Sequence, residues 1–433
     1  MLYSKTAPRD SLVVTGARVL DPAEGVDATV DVRVDDGVIA AFGTSLERNA
    51  HRVVDGTGLV LAPAFVDPHV HLRTPGREDE ETIASGTAAA AAGGYCAILA
   101  MPNTEPVVDS AAVLGSLIER ARTDATISVG FLAAITKGQK GAELTEMGEL
   151  ADEGAAAFTD DGHPVRLPGL MRRALQYASI TNRPLALHEE EPSLSRDGQM
   201  HEGAVSAELG FAGYPSVAES LMVGRDLALA AYEDQPLHVM HLSAKESVEL
   251  LAAGQADGLS ATGEVTPHHL CLTDEAVRSL DSNLKMNPPL RGADDRAALI
   301  EGLRNGTIAC VATDHAPHAR HEKEVPFEEA PFGVTGLETA FAALYTFLVE
   351  PGVLTLETLL ERMSAGPARA YGFEPPRIAI GAPANLVLLD PNAMWQVTEG
   401  GFRSRSANSW LLGKTLKGKV LATVADGRLV HEA

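Results

Sequence analysis

Hydrophobic positions fall into two regimes along the chain. From about Ser11 to Val60 they come in short bursts, Leu12-Val13-Val14, Val30-Asp31-Val32-Arg33-Val34 and Val38-Ile39-Ala40-Ala41-Phe42, separated by Gly and Asp. That is the spacing of short strands joined by tight turns. The far end repeats it with Asn385–Asp390, Gln396–Thr398, Lys419–Val424 and Arg428–Val430. Each end carries an Asp-Gly turn before a strand, at Asp36-Gly37 and Asp426-Gly427. Neither group of strands alone makes a comfortable core, so one small β-sandwich domain assembled from both termini is expected.

Between the ends the pattern changes. Apolar runs of strand length occur at Leu61–Val70, Tyr95–Met101, Ile127–Ala134, Ala155–Thr159, Pro184–Leu187, Leu237–Met240, Leu259–Val265 and Ile308–Ala312. They alternate with amphipathic or Ala-rich stretches such as Glu80–Ala92, Ser110–Arg122, Pro168–Ile180, Val217–Tyr232, Ala244–Ala253 and Ala293–Arg304. Eight strands in β/α alternation predict an α/β fold, a (β/α)8 TIM barrel. The rival open sheet would carry a Gly-x-Gly-x-x-Gly after its first strand, and none is present. The expected division is residues 1–60 for the N-terminal part of the small β domain, 61–375 for the barrel and 376–433 for the C-terminal part of the small domain.

Composition narrows the function without specifying it. A 433-residue chain with 45% hydrophobic and 22% charged residues can bury a large core. A formal charge of −24 argues against nucleic acid as a partner. No run approaches the roughly 20 apolar residues of a membrane helix. Met1 to Asp10 lacks the basic and apolar segments of a signal peptide. Cys96, Cys271 and Cys310 show no Cys-x-x-Cys spacing and read as free thiols, so the expected location is cytoplasmic, with no membrane partner.

Barrel enzymes place their chemistry at the C-terminal ends of the strands. The first strand ends in Asp67-Pro68-His69-Val70-His71-Leu72-Arg73, whose alternate residues share one face. Two imidazoles there can share a metal, with Asp67 expected to orient one of them. The fourth strand end offers Asp160 and Asp161, the fifth His188, the sixth His241 and the eighth Asp314. Singly, each of these would satisfy a loop or cap a helix; together they suit zinc better than an oxygen-preferring cation. They are too many for one four-coordinate ion, which suggests two metals sharing a ligand. His268 and His269 read as packed or loop-bonded histidines, and His51, His163, His201, His238 and His431 as non-ligands.

At this point the motifs resemble those of the bacterial class I dihydroorotases, of the amidohydrolase superfamily. The resemblance rests on Asp67–Arg73, Met101-Pro102-Asn103-Thr104, Phe158-Thr159-Asp160-Asp161-Gly162, Lys285-Met286-Asn287-Pro288-Pro289-Leu290-Arg291, Asp314-His315-Ala316-Pro317-His318 and Ala330–Thr339. It implies reversible cyclisation of N-carbamoyl-L-aspartate to L-dihydroorotate in de novo pyrimidine (UMP) biosynthesis. It further implies zinc, two ions per subunit: His69 and His71 on one, His188 and His241 on the other, with Asp161 bridging. Asp314 would bind a metal and act as the catalytic proton shuttle for a metal-bound hydroxide. Arg73, Asn103 and Asn287, joined by His318 and the backbone at Phe332 and Gly333, would bind substrate. Many relatives bridge their metals with a carboxylated lysine; here the fourth strand end offers aspartates. A homodimer is expected, and the sequence leaves open whether it associates with aspartate transcarbamoylase. The polar segment 318–333 reads as a closing lid or as an acidic solvated loop, the lid being favoured because His318 and Phe332-Gly333 flank it. The alternatives are a hydantoinase or allantoinase, or an inactive structural subunit of aspartate transcarbamoylase.

Overall fold

A computed structural model describes residues 1–47 and 52–433; His51 lies outside them. Strands from both ends share one eight-stranded sheet. Its order is Arg428–Glu432, Thr415–Ala425, Leu386–Gln396, Val60–Pro63, Leu12–Asp21, Val26–Asp35 and Val38–Gly43, with Arg52–Asp55 paired beside the start of Leu12–Asp21. One buried cluster joins the two ends, with Val14, Val19, Val32 and Ile39 meeting Leu386, Leu388 and Val424.

The Asp-Gly turns form part of that joint. Asp36 and Gly37 have φ of +46° and +78°, and Asp426 and Gly427 of +46° and +74°, the left-handed pair that a two-residue hairpin prefers. The turns lie back to back. Asp10 N donates to Gly427 O, Gly37 N to Asp10 O, Ala384 N to Gly37 O and Gly427 N to Ala384 O. A Cβ on Gly427 would stand 2.2 Å from the Gly37 Cα. Gly427→Ala is therefore expected to destabilise the protein by about 2 kcal/mol or more, from the left-handed φ and the overlap together. Thermal unfolding would show it as a fall of a few degrees in Tm; an unchanged Tm would mean that the termini are not joined through these turns.

The barrel closes by parallel pairing of Phe65–Val70, Tyr95–Ala100, Ser128–Phe131, the bridge residue Phe158, Leu185–Leu187, Leu237–Val239, Ala261–Val265 and Cys310–Val311. Phe158 bridges Ala133 and Leu185, and Val70 bridges His315, which completes the ring. Helices Ile83–Ala92, Ala111–Asp124, Met147–Glu153, Pro168–Thr181, Val217–Glu233, Lys245–Ala256, Ala293–Asn305 and Leu356–Met363 follow the strands. The first begins where Thr82 Oγ1 accepts from Ser85 N at 3.1 Å. Among the described residues no helix is long and apolar enough to cross a membrane. All three cysteines are free.

Two strand expectations change. The run Leu61–Val70 is two strands: Val60–Pro63 pairs with Leu386–Leu389 in the terminal sheet, and only Phe65–Val70 enters the barrel. Both pieces are buried throughout, and periodicity cannot divide an apolar run buried on all sides. Gln396 ends the strand Leu386–Gln396 rather than opening a new one. The ladder is interrupted between Asp390 and Met394, where the Asp390 carboxylate accepts from Asn392 N and Ala393 N.

Candidate metal and substrate site

Side chains from five strand ends gather in one cluster, with four histidines around Asp161. Its Oδ1 lies 3.7 Å from His69 Nε2, 3.6 Å from His188 Nδ1 and 3.7 Å from His241 Nε2, and its Oδ2 3.5 Å from His71 Nε2. Asp314 Oδ1 lies 3.0 Å from His71 Nε2 and 3.3 Å from His69 Nε2. His69, His71 and Asp314 form one group of close ligand atoms, and His69, Asp161 and His241 another. His188 Nδ1 stands 3.0 Å from His241 Nε2. Asp160 faces elsewhere, accepting from Ile135 N, Thr136 N and Thr136 Oγ1.

Glu264, not Asp67, orients the first histidine. Asp67 accepts from the His69 backbone N at 3.1 Å and from Thr313 Oγ1 at 2.6 Å, tying the first strand to the eighth. Glu264 Oε1 is 2.8 Å from His69 Nδ1, and its Oε2 is 3.0 Å from His238 Nε2, whose Nδ1 is 2.7 Å from Thr262 Oγ1. Burial would raise the Glu264 pKa, but His238 and His69 hold it at about 2. The sequence carried one signal for it, a carboxylate inside the buried strand Ala261–Val265, a placement that demands a partner. Glu190 plays the matching part for His188, with Oε2 3.0 Å from Nε2. His238, read as a non-ligand, stands behind His69.

These contacts fit a cation. An ionised Glu264 takes the Nδ1–H of His69 and makes Nε2 the nitrogen open to a cation. That Nε2 is buried and has no hydrogen-bond partner among the described residues, while two carboxylates face it. A metal ligand has this arrangement. The electrostatics agree. Burial would lower the pKa of His69, yet Asp314 and Asp161 push it well above its ordinary value. Burial would raise Asp161 and Asp314, but His69 and its neighbours hold both down. The cluster stabilises positive charge at its centre. Glu264→Gln should weaken metal affinity roughly 10- to 100-fold. Zinc titration would measure this, and an unchanged affinity would remove Glu264 from the orienting role.

An open cavity of about 210 Å³ reaches this cluster, lined by His71, Asp161, His188, His241 and Asp314 on one side and by Arg73, Asn103, Asn287, His318, Phe332 and Gly333 on the other. Arg73 does not arrive by strand alternation, because the strand stops at Val70 and Arg73 has φ +53°. His241 and Asp314 are left-handed too, at +29° and +46°; such backbone is unfavourable for non-glycine residues and is held by its surroundings. Asn103 is engaged at both ends, with Oδ1 3.0 Å from His71 Nδ1 and Nδ2 donating to Asp161 Oδ2 at 3.0 Å. Asn287 Nδ2 donates to Glu190 Oε2, and its buried Oδ1 has no partner among the described residues.

The segment 318–333 is anchored at several points. Lys285 Nζ donates to Phe327 O and Glu328 O, and Lys323 Nζ to Ser282 O and Pro331 O. Asn408 accepts from His318 N and donates to Ala316 O and Gly333 O. His269 bonds Thr266 Oγ1 and Pro288 O, with the buried His268 packed on it. His163, His201 and His431 are not among the residues lining the cavity.

A family model described as Dihydro-orotase-like matches residues 58–247. A protein named dihydroorotase from Anaeromyxobacter dehalogenans is 46% identical over 98% of this chain and 98% of its own length. One from Geobacter metallireducens is 43% identical over 98% of this chain and 100% of its own. Among solved structures, an L-hydantoinase (dihydropyrimidinase) from Arthrobacter aurescens superposes with a TM-score of 0.87 at 24% identity, covering 98% of this chain and 96% of that one. A dihydropyrimidinase from Brevibacillus agri gives 0.84 at 23% identity, covering 98% and 95%. Below 25% identity the likeness is one of fold.

Proposed function

The chain belongs to the dihydroorotase family, and from that premise we propose that it is a bacterial class I dihydroorotase, interconverting N-carbamoyl-L-aspartate and L-dihydroorotate in pyrimidine biosynthesis. One observation carries the reading from the residues upward: a single cavity joins an imidazole–carboxylate cluster to an arginine. Dihydroorotate presents a cyclic amide and a carboxylate. Hydantoin and allantoin offer the amide but no carboxylate to pair with Arg73.

In this reading His69 and His71 would hold one zinc ion and His188 and His241 a second, with Asp161 and Asp314 as the carboxylate ligands. Zinc would supply Lewis acidity at the ring carbonyl and would lower the pKa of water to about 7. The other steps belong to the protein. Asp314 takes the proton of the attacking water and delivers it to the ring nitrogen as the amide opens. In the biosynthetic direction it removes a proton from the carbamoyl nitrogen. Arg73 and His318 take the substrate carboxylate, with a guanidinium suited to bidentate contact. Asn287 Oδ1, buried and unpartnered among the described residues, offers an acceptor to a ring N–H. Asn103 lies between substrate and cluster, and the backbone at Phe332 and Gly333 closes the ring side.

The reading carries with it a cytoplasmic location and a homodimer able to associate with aspartate transcarbamoylase; gel filtration with and without purified transcarbamoylase tests the assembly. The activity is tested by following hydrolysis of L-dihydroorotate, hydantoin and allantoin at equal zinc loading. Turnover of dihydroorotate alone is expected, and preference for either other amide would overturn the assignment.

A further inference from the structure

Glu80 has no part in the steps above, yet its carboxylate joins the two groups that face the substrate carboxylate. It lies in the turn before the helix Ile83–Ala92 and is 1% exposed. Its Oε2 is 3.0 Å from Arg73 Nε. Its Oε1 is 3.0 Å from His318 Nδ1 and 3.1 Å from Arg77 Nη2. Arg77 Nη2 also reaches Glu322 Oε1 at 2.6 Å, in the short helix Arg320–Lys323 beyond His318. The Glu80 backbone is held as well, with N donating to Arg77 O and O accepting from Ser406 Oγ.

Arg73 shares its Nε edge between Glu80 and the Pro317 carbonyl, 3.1 Å away, which leaves its terminal nitrogens for the cavity. Nη2 is already 3.4 Å from His318 Nε2. The Arg73 side chain is long and rich in rotamers, so its direction depends on what grips the guanidinium. His318 is fixed similarly. Both ring nitrogens face oxygen, Nδ1 at 3.0 Å from Glu80 Oε1 and Nε2 at 2.8 Å from the Phe332 carbonyl, so Glu80 and that carbonyl together hold the plane of the ring at the cavity wall. An amide at position 80 could accept from one of these partners but would face the other with a donor.

We propose that Glu80 is a positioning residue for the substrate carboxylate, setting the aim of Arg73 with one oxygen and the ring orientation of His318 with the other. This inference rests on the dihydroorotase reading. Glu80→Gln should raise the KM for L-dihydroorotate roughly tenfold or more, the size of one lost charge-assisted hydrogen bond, with kcat within about threefold and zinc content unchanged. Glu80→Asp keeps the charge but cannot span both partners, so it should give an intermediate KM; it also serves if the glutamine variant fails to fold. In an Arg73→Ala background the same Glu80→Gln change should affect kcat/KM less than in the wild type, because one of the groups it positions is gone. A KM within twofold of wild type, a fall in kcat at constant KM, or equal effects in both backgrounds would overturn the proposal. A wild-type protein inactive on dihydroorotate would overturn the parent reading and this inference with it. An active wild type with an unaffected Glu80→Gln variant would overturn this inference alone.

Discussion

In the Asp314→Asn variant turnover of dihydroorotate should fall by about 10²- to 10⁴-fold, the range that a positioned proton carrier supplies. The substitution keeps the shape of the side chain and an oxygen where Oδ1 stands, 3.0 Å from His71 Nε2. It removes the basicity. An amide cannot take a proton from water and return it to a nitrogen, in either direction. In the proposed reading substrate binding rests on Arg73, His318 and the asparagines, so KM should change far less than kcat. Asp314 is also a proposed ligand, so zinc must be counted in the variant beside the rate. Near-normal turnover with metal bound would show that the proton travels by another group. A loss of turnover that follows a loss of zinc would make Asp314 a ligand first.

Removing metal should abolish activity, and zinc should restore it in proportion to two equivalents per chain. The donor set argues for both parts. Four imidazoles and two carboxylates exceed what one tetrahedral ion with an open position can use. Asp161 presents one oxygen toward His69, His188 and His241 and the other toward His71. Restoration complete at one equivalent would leave the second group of ligands without a metal, and activity that survives chelation would refute metal dependence. Stability supplies a second readout. A cation that binds only the folded state adds about 4 kcal/mol at a thousandfold excess over its Kd, so Tm should rise with zinc. Glu264→Gln should shift that titration to higher zinc, because it frees His69 to turn.

The proposed ligands could be picked out of the sequence because two local rules converge on them. Strand alternation puts His69 and His71 on one face, and barrel topology sends every strand end to the same rim. The partners that aim those ligands were not legible. His69 meets Glu264 across 195 residues of sequence, and His318 meets Glu80 across 238. Asp67 shows the converse error. Two residues from His69, it looked like its orienting carboxylate, but the chain turns its oxygens to the strand-eight backbone and Thr313. Nearness in sequence told only which face a residue occupies, not what it touches there.

The sequence by itself determined the β/α alternation, the joining of the two ends and which histidines and aspartates gather at the strand ends, because each follows from periodicity or from which residue types end a strand; Asn287, Phe332 and Gly333 were named only through the family resemblance. Only the tertiary structure decided where the first barrel strand begins, which carboxylate holds His69, that Asp160 faces away from the cluster, and how Arg73 enters the cavity. Each of those depends on a contact between segments distant in sequence or on a left-handed backbone angle, and neither leaves a local pattern in the order of the residues.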